Sequence, residues 1–235
     1  MYKLEMHLHT MDRSPCAKTD DETIARIYAD HGYNGIVCTN HYNSFLYNNY
    51  YRKGSPEKNA EYYVEGYYIL KKACEKLGID AFFGMEVLLD CLSYYKEGPP
   101  RAEFLVYGIS PEWLLAHPDE VFPLNPKEFY RLCKAENWIL SHAHPFREGI
   151  DVQNPSLLEA CEVYNGNPRA KNHNDKALAF AQSNRLLFTA GSDFHEPDDV
   201  GSGVYLKNAV KTNEALVAEL RKREHTIFKN DTDIV

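Results

Sequence analysis

The sequence lacks the features that mark membrane proteins, disulfide-stabilised proteins and zinc-thiolate modules. None of its apolar runs approaches the roughly 18 residues that a membrane-spanning helix needs, and its N-terminus lacks a basic segment followed by an apolar stretch. The six cysteines are widely spread and form no Cys-x-x-Cys pair. These absences argue against a disulfide framework and favour a cytoplasmic protein that does not enter a membrane.

Basic charge is scarce as well. The 235 residues include 26 lysines and arginines against 34 aspartates and glutamates, which gives a formal net charge of −8. Proteins that bind long nucleic acids regardless of sequence carry a basic stripe that attracts the phosphates. The charge balance therefore disfavours a long nucleic acid as a partner and favours a small substrate.

Internal repeats, low-complexity segments and Gly/Ser linkers are also absent, and 44% of the residues are hydrophobic. A chain of this length and composition can bury a sizeable core. We therefore expect a single domain that spans residues 1–235.

Seven short apolar runs rich in β-forming residues alternate with helical patterns. This alternation is typical of βα units around a parallel sheet or barrel. The sequence therefore predicts an α/β protein with strands at 4–9, 35–39, 81–89, 103–109, 138–142, 161–164 and 186–190.

Capping residues mark the predicted starts of several helices. Asn125-Pro126 and Asn167-Pro168 each place a capping side chain before a proline at the first helical position. Thr212 is expected to cap the last helix of the chain.

Residues that can bind a metal lie mostly at the C-terminal ends of the predicted strands. His7-x-His9 ends the first strand, where side chains at i and i+2 project from one face and can bind the same ion. The carboxyl ends of the strands in a β/α barrel converge on one mouth, so the sequence predicts a metal site there. The candidate residues are His7, His9, His41, Glu86, His142, His144, Asp193 and His195.

Five motifs, in this order, resemble the PHP (polymerase and histidinol phosphatase) family. They are His7-x-His9-Thr10, Thr39-Asn40-His41, Gly84-Met85-Glu86, His144-Pro145 and Gly191-Ser192-Asp193-Phe194-His195. The resemblance spans essentially the whole chain. It implies a distorted (β/α)7 barrel, similar to a TIM barrel, that holds two or three divalent ions and hydrolyses phosphate esters. Zinc, manganese and iron are the metals implied.

The resemblance also implies how the ligands are shared. The implied ligands are His7, His9, Glu86 and Asp193 for a first ion, Glu86 and His144 for a second, and His41 and His195 for a third. A carboxylate that bridges two ions holds them about 3.5–4 Å apart, which suits the trapping of a hydroxide between them.

Several positions depart from the family pattern. Glu5 and Asn40 stand where family members usually have aspartate, and Glu103 aligns with a histidine that usually binds the second ion. Pro15-Cys16 occupies the neighbourhood in which an acid or a histidine usually completes the third site. Glu103 is a candidate ligand through its carboxylate, and Asp12 is the nearest substitute at the third site.

A substrate phosphate needs a cation. Arg147 follows the His144-Pro145 motif at the predicted mouth, and its guanidinium can bind two phosphate oxygens at once. Arg147 is therefore the first candidate. Arg13, Lys18 and Arg169 are weaker candidates for the same role.

His142 precedes His144 by two residues on the same face of a predicted strand. It is a candidate for an additional metal ligand, for a hydrogen-bonding partner behind the ligands, or for the proton donor to the leaving alcohol. His195 is the other candidate proton donor.

The sequence thus predicts a metal-dependent phosphomonoesterase that acts on a small phosphorylated molecule, with Asp193, His195 and Arg147 in catalytic roles. Two alternatives stay open. One is a metal-dependent nuclease or phosphodiesterase that acts on nucleotides or oligonucleotide ends, and the other is a catalytically silent metal-binding module.

Overall fold

The strands and helices of this chain form one mixed α/β fold, seen in a computed structural model that describes residues 1–93 and 101–235. The strands are β1 (Tyr2–Leu8), β2 (Gly35–Cys38), β3 (His41–Tyr42), β4 (Asp80–Val87), β5 (Phe104–Tyr107), β6 (Ile139–His142), β7 (Ala160–Asn165), β8 (Leu187–Gly191), β9 (Ser202–Leu206), β10 (Thr226–Lys229) and β11 (Thr232–Asp233). The α-helices are α1 (Asp21–Asp30), α2 (Ser44–Leu46), α3 (Pro56–Glu75), α4 (Pro111–Ala116), α5 (Pro126–Ala135), α6 (Asn174–Asn184) and α7 (Asn213–Arg221).

The strands lie in the order β11-β10-β9-β1-β2-β4-β5-β6-β7-β8, with β3 paired beside β4. Strands β1, β2 and β4 are parallel neighbours, and so are β6, β7 and β8. Strand β5 runs antiparallel to both β4 and β6. On the other side of β1, β9 is antiparallel to β1 and β10 is antiparallel to β9. The predicted α/β class is confirmed. The repeated (β/α)7 arrangement stays a prediction, because β5 is reversed and the sheet continues past β1.

The sheet curls until the segment after β8 meets β1. His9 N donates to Phe194 O at 3.0 Å, and Phe194 N donates to His7 O at 3.1 Å. Gly191 makes this approach feasible, since a Cβ at that position would lie 2.4 Å from the Cβ of His7. The ends of two strands that carry predicted ligands are thereby joined.

Glu5 links β1 to the segment after β8 from within the core. Its carboxylate is fully buried and accepts hydrogen bonds from His7 N, Ser192 N, Ser192 Oγ and Tyr28 Oη at 2.6–2.9 Å. These donors favour the ionised form, but burial outweighs them and raises the pKa of Glu5 to about 7. Glu5 therefore holds β1 against the Gly191-Ser192 segment.

Two of the three predicted capping positions are confirmed. Asn125 begins α5 in a capping box with Glu128, and Thr212 caps α7. The prediction at Asn167-Pro168 is wrong, because α6 begins at Asn174. Asn167 instead uses its Oδ1 for Arg169 N at 3.0 Å and its Nδ2 for Asp193 O at 3.1 Å, so its side chain supports the site.

One hydrophobic cluster extends through the described residues from Tyr2 of β1 to Phe228 of β10. Helix α3 packs on this core through tyrosines, and Tyr63 Oη donates to Asn40 O at 2.6 Å, just before His41. In the described part of the chain, no helix combines the length and the apolar character needed to cross a membrane. The cytoplasmic location stays a prediction.

Candidate metal centre

Eight histidine, glutamate and aspartate side chains converge at one mouth of the curled sheet. Their ligand atoms form four overlapping groups, within each of which the atoms lie within 4.8 Å of one another. The groups are His9, His41 and His195; His7, His144 and Asp193; His7, His9 and Glu86; and His41, Glu86 and Glu103. The structure therefore brings together every residue that the PHP resemblance implied as a ligand, and Glu103 with them.

Glu86 of β4 lies at the centre of this cluster. Its Oε1 is 3.2 Å from His7 Nε2 and 3.0 Å from His144 Nε2. Its Oε2 is 3.4 Å from His9 Nε2 and 2.7 Å from His41 Nδ1. Each oxygen of one carboxylate thus faces two imidazole nitrogens, which is the arrangement expected of a carboxylate that serves two ions.

The cluster divides into two parts according to exposure. We call the side chains that are at most 2% exposed the inner set, which comprises His7, His9, Glu86, His144 and Asp193. We call the side chains at the mouth the outer set, which comprises His41, Glu103 and His195 of the cluster together with the neighbouring Cys16. His41 and His195 are 15% and 13% exposed, and Glu103 is 7% exposed.

Glu162 of β7 orients two members of the inner set. Its Oε1 lies 2.8 Å from His7 Nδ1, and its Oε2 accepts a hydrogen bond from His144 N at 2.8 Å. Because a carboxylate can only accept, His7 must donate from Nδ1, which leaves Nε2 directed at the cluster. Sequence reasoning missed Glu162, although a glutamate inside the apolar run 161–164 was a signal that it has a buried partner.

Ser14 orients His9 in the same way. His9 Nδ1 lies 3.2 Å from Ser14 Oγ, which donates in turn to Asn40 Oδ1 at 2.9 Å. Ser14 Oγ also accepts from His41 N at 3.1 Å. Asn40, one of the departures from the family pattern, therefore supports the loop after β1 through its amide.

Asp193 is held by Arg147. Arg147 Nη2 donates to Asp193 Oδ2 at 2.5 Å, and Arg147 Nε donates to Asn172 Oδ1 at 2.8 Å. The other oxygen of Asp193, Oδ1, faces His9 Nε2 at 3.3 Å. Asp193 and His144 both adopt a left-handed backbone, with φ of 51° and 28°, so local strain at two strand ends helps to present these ligands.

The charges of the inner set are strongly coupled. Burial alone would lower the pKa of His7, but Glu162, Asp193 and Glu86 outweigh it and raise that pKa well above its usual range. Burial likewise opposes ionisation of Asp193, yet His7 and Arg147 hold its pKa well below normal. The carboxylates thus favour a positive charge among the imidazoles, which a proton or a metal ion can provide.

Unpaired polar atoms support the fit of metal ions to these residues. Glu86 Oε2 and His41 Nδ1 are buried and have no hydrogen-bond partner in residues 1–93 and 101–235, although they lie 2.7 Å apart. Unpaired buried polar atoms are rare in folded proteins. A divalent cation that both atoms bind would satisfy them, and imidazole with carboxylate is a donor set suited to zinc, manganese or iron.

Cys16 belongs to the outer set and stands where the family pattern has an acid or a histidine. Its Sγ lies 3.1 Å from His195 Nε2, while His195 Nδ1 donates to Asp193 O at 2.8 Å. Partial enclosure raises the pKa of the thiol, but His41 and His195 outweigh this and lower that pKa to about 6. The position that lacks an acid or a histidine therefore holds a readily ionised thiol.

Two candidate ligands are not brought into the cluster. His142 is fully buried, and its Nδ1 and Nε2 lie 3.1 Å from Ala143 O and 3.4 Å from Asp151 O. Burial, assisted by His144, lowers the pKa of His142 to about 4, so it is neutral at pH 7. Asp12 is exposed on the turn after β1 and belongs to none of the four groups of described ligand atoms.

The three weaker phosphate-binding candidates are engaged elsewhere. Arg13 is buried against the ring of Tyr62 at 3.7 Å, and Lys18 pairs with Glu196 at 2.5 Å. Arg169 forms two hydrogen bonds with Asp199, at 2.5 and 2.6 Å. Arg147 remains at the mouth, and its Nη1 has no hydrogen-bond partner among the described residues.

A cavity of about 840 Å³ opens over the cluster. Residues of both sets line it, together with Arg101 and Arg147. Its lining also includes Phe45 and Tyr50, which are 41% and 49% exposed, and Ile150. The volume lies in the range of pockets that bind small organic molecules.

Comparisons with known proteins identify a shared fold. Residues 171–225 match the PHP-associated family PHP_C. A two-domain protein from Bacteroides vulgatus that contains a predicted PHP-like metal-dependent phosphoesterase matches all of this chain, with a TM-score of 0.66 and 15% identity. The chain has a PHP-like fold. The resemblance read from the five motifs is thereby confirmed for the fold.

Two further structures share this PHP-like fold at similarly low identity. An amidohydrolase from Chromobacterium violaceum with bound sulfate covers 97% of the chain, with a TM-score of 0.57 and 14% identity, and the match takes in 98% of that protein. A lesion-specific endonuclease from Pyrococcus furiosus covers 96% of the chain, with a TM-score of 0.58 and 14% identity. The chain spans 66% of the Bacteroides protein and 57% of the Pyrococcus protein. No curated protein matches it by sequence.

Proposed function

We propose that this protein is a metal-dependent hydrolase of phosphate esters and that its substrate is a small phosphomonoester. The observation that carries the proposal is the position of Glu86, whose two oxygens each lie within 3.4 Å of two imidazole nitrogens. The fold shared with a PHP-like phosphoesterase supports the same reaction class.

The proposed assignment follows the PHP resemblance. His7, His9, Glu86 and Asp193 would bind a first divalent ion, and His41 and His195 a third where it is present. Glu86 and His144 would bind a second, with Glu103, 3.6 Å from His144 Nε2, as a further candidate. In this proposal strands β1, β2 and β4 to β8 form a distorted (β/α)7 barrel whose mouth carries the ligands. The metals are zinc, manganese or iron.

The side chains of this chain have separate tasks in the reaction. Divalent ions bound here supply Lewis acidity and lower the pKa of water, so that hydroxide is available near neutral pH. Arg147 keeps Asp193 oriented through Nη2 and has Nη1 for a phosphate oxygen. Of the two histidines proposed as proton donors, His195 lines the cavity and His142 does not, so His195 is favoured as the donor to the leaving alcohol where no third ion is bound to it.

A second candidate function has its own support. Phe45 and Tyr50 present exposed aromatic rings to the cavity, and aromatic rings are surfaces on which nucleic-acid bases stack. A structural neighbour is an endonuclease. We therefore retain a phosphodiesterase or nuclease that acts on nucleotides or oligonucleotide ends, while the charge of −8 disfavours long nucleic acids.

A substrate panel separates these functions. The protein is assayed on p-nitrophenyl phosphate, on bis(p-nitrophenyl) phosphate and on short single-stranded DNA, with and without added manganese. Preference for the monoester supports the proposal, whereas preference for the diester or release of mononucleotides supports the second candidate. Bound metal without activity on any of the three indicates a catalytically silent module.

The Asp193→Ala variant tests whether the cluster performs the reaction. Losing this ligand together with the partner of Arg147 should reduce hydrolysis by at least ~10³-fold. Asp198→Ala, which removes an exposed carboxylate five residues away, is the matched control and should retain activity. Full activity in Asp193→Ala with an intact fold would rule out this site.

A further inference from the structure

Cys16 lies in a loop that is fixed to the metal-binding cluster at several points. Ser14 Oγ contacts His9 Nδ1 and accepts from His41 N, and Ala17 N donates to Ser14 O at 2.9 Å. Lys18 N donates to His195 O at 2.9 Å, which ties the other end of the loop to the segment after β8. The thiol is therefore held beside the histidines by the backbone on both sides.

The thiol faces the outer histidines. Cys16 Sγ is 3.1 Å from His195 Nε2, and Cys16, His41 and His195 all line the same cavity. The rings of His9 and His41 have centroids 4.3 Å apart, and those of His9 and His195 are 4.5 Å apart. Three closely packed imidazoles and a thiol together offer nitrogen and sulfur donors for a metal ion.

An independent observation indicates that a cation belongs next to these residues. The Glu86 side chain is 1% exposed. Its buried Oε2 has no hydrogen-bond partner in the described ranges and lies 2.7 Å from His41 Nδ1. This carboxylate oxygen therefore faces His41, which is a member of the outer set. The cluster therefore shows an unsatisfied acceptor together with the soft donor of Cys16.

We propose that Cys16 is a thiolate ligand of a divalent ion that His41 and His195 also bind, and that this ligand makes the outer site selective for zinc over manganese. The inference rests on metal binding as proposed above. Three protein ligands leave a fourth position, as in catalytic zinc sites. A thiolate favours zinc, whereas carboxylate and water oxygens favour manganese. The thiol proton passes to the solvent when the ion binds.

Cobalt substitution tests the proposal without an activity assay. Metal-free protein is titrated with cobalt(II), and a thiolate-to-cobalt charge-transfer absorption in the near ultraviolet is expected. Cys16→Ser should abolish that absorption, and Cys91→Ser, which changes the other exposed cysteine, should retain it. Absence of the absorption in the unmodified protein, or its persistence in Cys16→Ser, overturns the proposal.

Alkylation provides a second readout that needs no variant. Zinc should protect Cys16 from iodoacetamide while Cys91 continues to react, as measured by mass spectrometry of the digested protein. The zinc-loaded protein should also give an X-ray absorption spectrum with a zinc–sulfur distance of about 2.3 Å. Equal alkylation of Cys16 with and without zinc overturns the proposal.

The competition between metals tests selectivity. Zinc should displace manganese from the outer site of the unmodified protein. Cys16→Asp should reduce the preference of that site for zinc by about 10-fold or more. An unchanged preference overturns the role of the thiol. If the protein binds two ions and hydrolyses phosphate esters but shows no sulfur ligation, this inference fails and the proposed function stands. If it binds no metal, both fail.

Discussion

The inner and outer sets of the cluster differ in how firmly the rest of the protein holds them. Each of three inner residues has a partner that fixes it: buried Glu162 for His7, buried Ser14 for His9 and half-buried Arg147 for Asp193. In the outer set, His41 Nδ1 has no hydrogen-bond partner among the described residues, and His195 contacts the thiol of Cys16. The inner set is preorganised, and the outer set is open to the cavity.

The difference separates residues suited to holding an ion from residues suited to admitting a substrate. Ligands that must hold an ion tightly are buried and fixed by a second residue, which narrows their range of orientations. Ligands at the mouth must also admit substrate, so they are more exposed and less restrained. We therefore expect substitutions behind the inner set to affect metal binding more than substitutions within the outer set.

The largest effect on metal binding is expected for Glu162→Gln. The amide still accepts from His7 Nδ1 but removes the negative charge that fixes the tautomer and raises the basicity of that ring, so metal affinity should fall about 10–100-fold. Chelator competition in the purified variant measures this affinity. The exposed Glu61→Gln serves as the matched control. An affinity unchanged by Glu162→Gln would remove the distinction between the two sets.

A smaller effect is expected for Glu103→Gln in the outer set. Glu103 lies 3.6 Å from His144 Nε2 and 3.8 Å from His41 Nδ1, so its carboxylate contributes to an ion less directly than Glu86 does. Activity should fall on the order of tenfold or less, because an amide oxygen is a weaker ligand than a carboxylate. The first ion should be retained.

Metal content and hydrolysis of p-nitrophenyl phosphate measure the Glu103→Gln variant together. Glu148→Gln is the control, because Glu148 is exposed and lines the same cavity. A loss of metal as large as that in Glu162→Gln would mean that the outer carboxylate is as essential as the inner support, contrary to the comparison.

The inner set could be predicted from the sequence because its members follow from patterns between residues close together in the chain. The i, i+2 spacing of His7 and His9 places both side chains on one face of β1, and ligand types at successive strand ends follow from the fold class. The same reasoning found Glu86 and Asp193. All of these residues meet in the structure.

The partners behind those ligands could not be predicted, because they depend on tertiary packing. Glu162 reaches His7 across the mouth from β7, and Asn167 supports Asp193 instead of starting a helix. The reversed direction of β5 is likewise set by pairing with β4 and β6, and its apolar run carries no sign of strand direction. Local patterns indicate which residues form strands or are candidate ligands. Contacts between distant segments determine the direction of the strands and the partners of those candidates.

The outer set could be predicted only in part. Cys16 was visible in the sequence only as the absence of an expected acid or histidine, and its closeness to His195 depends on the loop after β1. His142 is the opposite case. The i, i+2 rule made it a candidate beside His144, but the left-handed backbone of His144 changes the direction of the chain after β6, so the rule does not hold there.

The smallest effect on the site is therefore expected for His142→Gln. Both ring nitrogens face backbone carbonyls, so metal content and kcat on p-nitrophenyl phosphate should change less than about threefold. A loss comparable to that in Asp193→Ala would show that His142 is a ligand or the proton donor. The exposed His31→Gln is the matched control.

The same variant should alter the pH dependence of stability. With a folded pKa of about 4, His142 stays neutral while the unfolded chain binds a proton below about pH 6.5, so the folded state loses stability as the pH falls between these values. The loss attributable to this group is on the order of 3 kcal/mol at most. Urea unfolding in the presence of a chelator at pH 7 and pH 4.5 should give a shallower decline for His142→Gln than for the unmodified protein. An equal decline would mean that folding does not lower the pKa of His142, contrary to its burial.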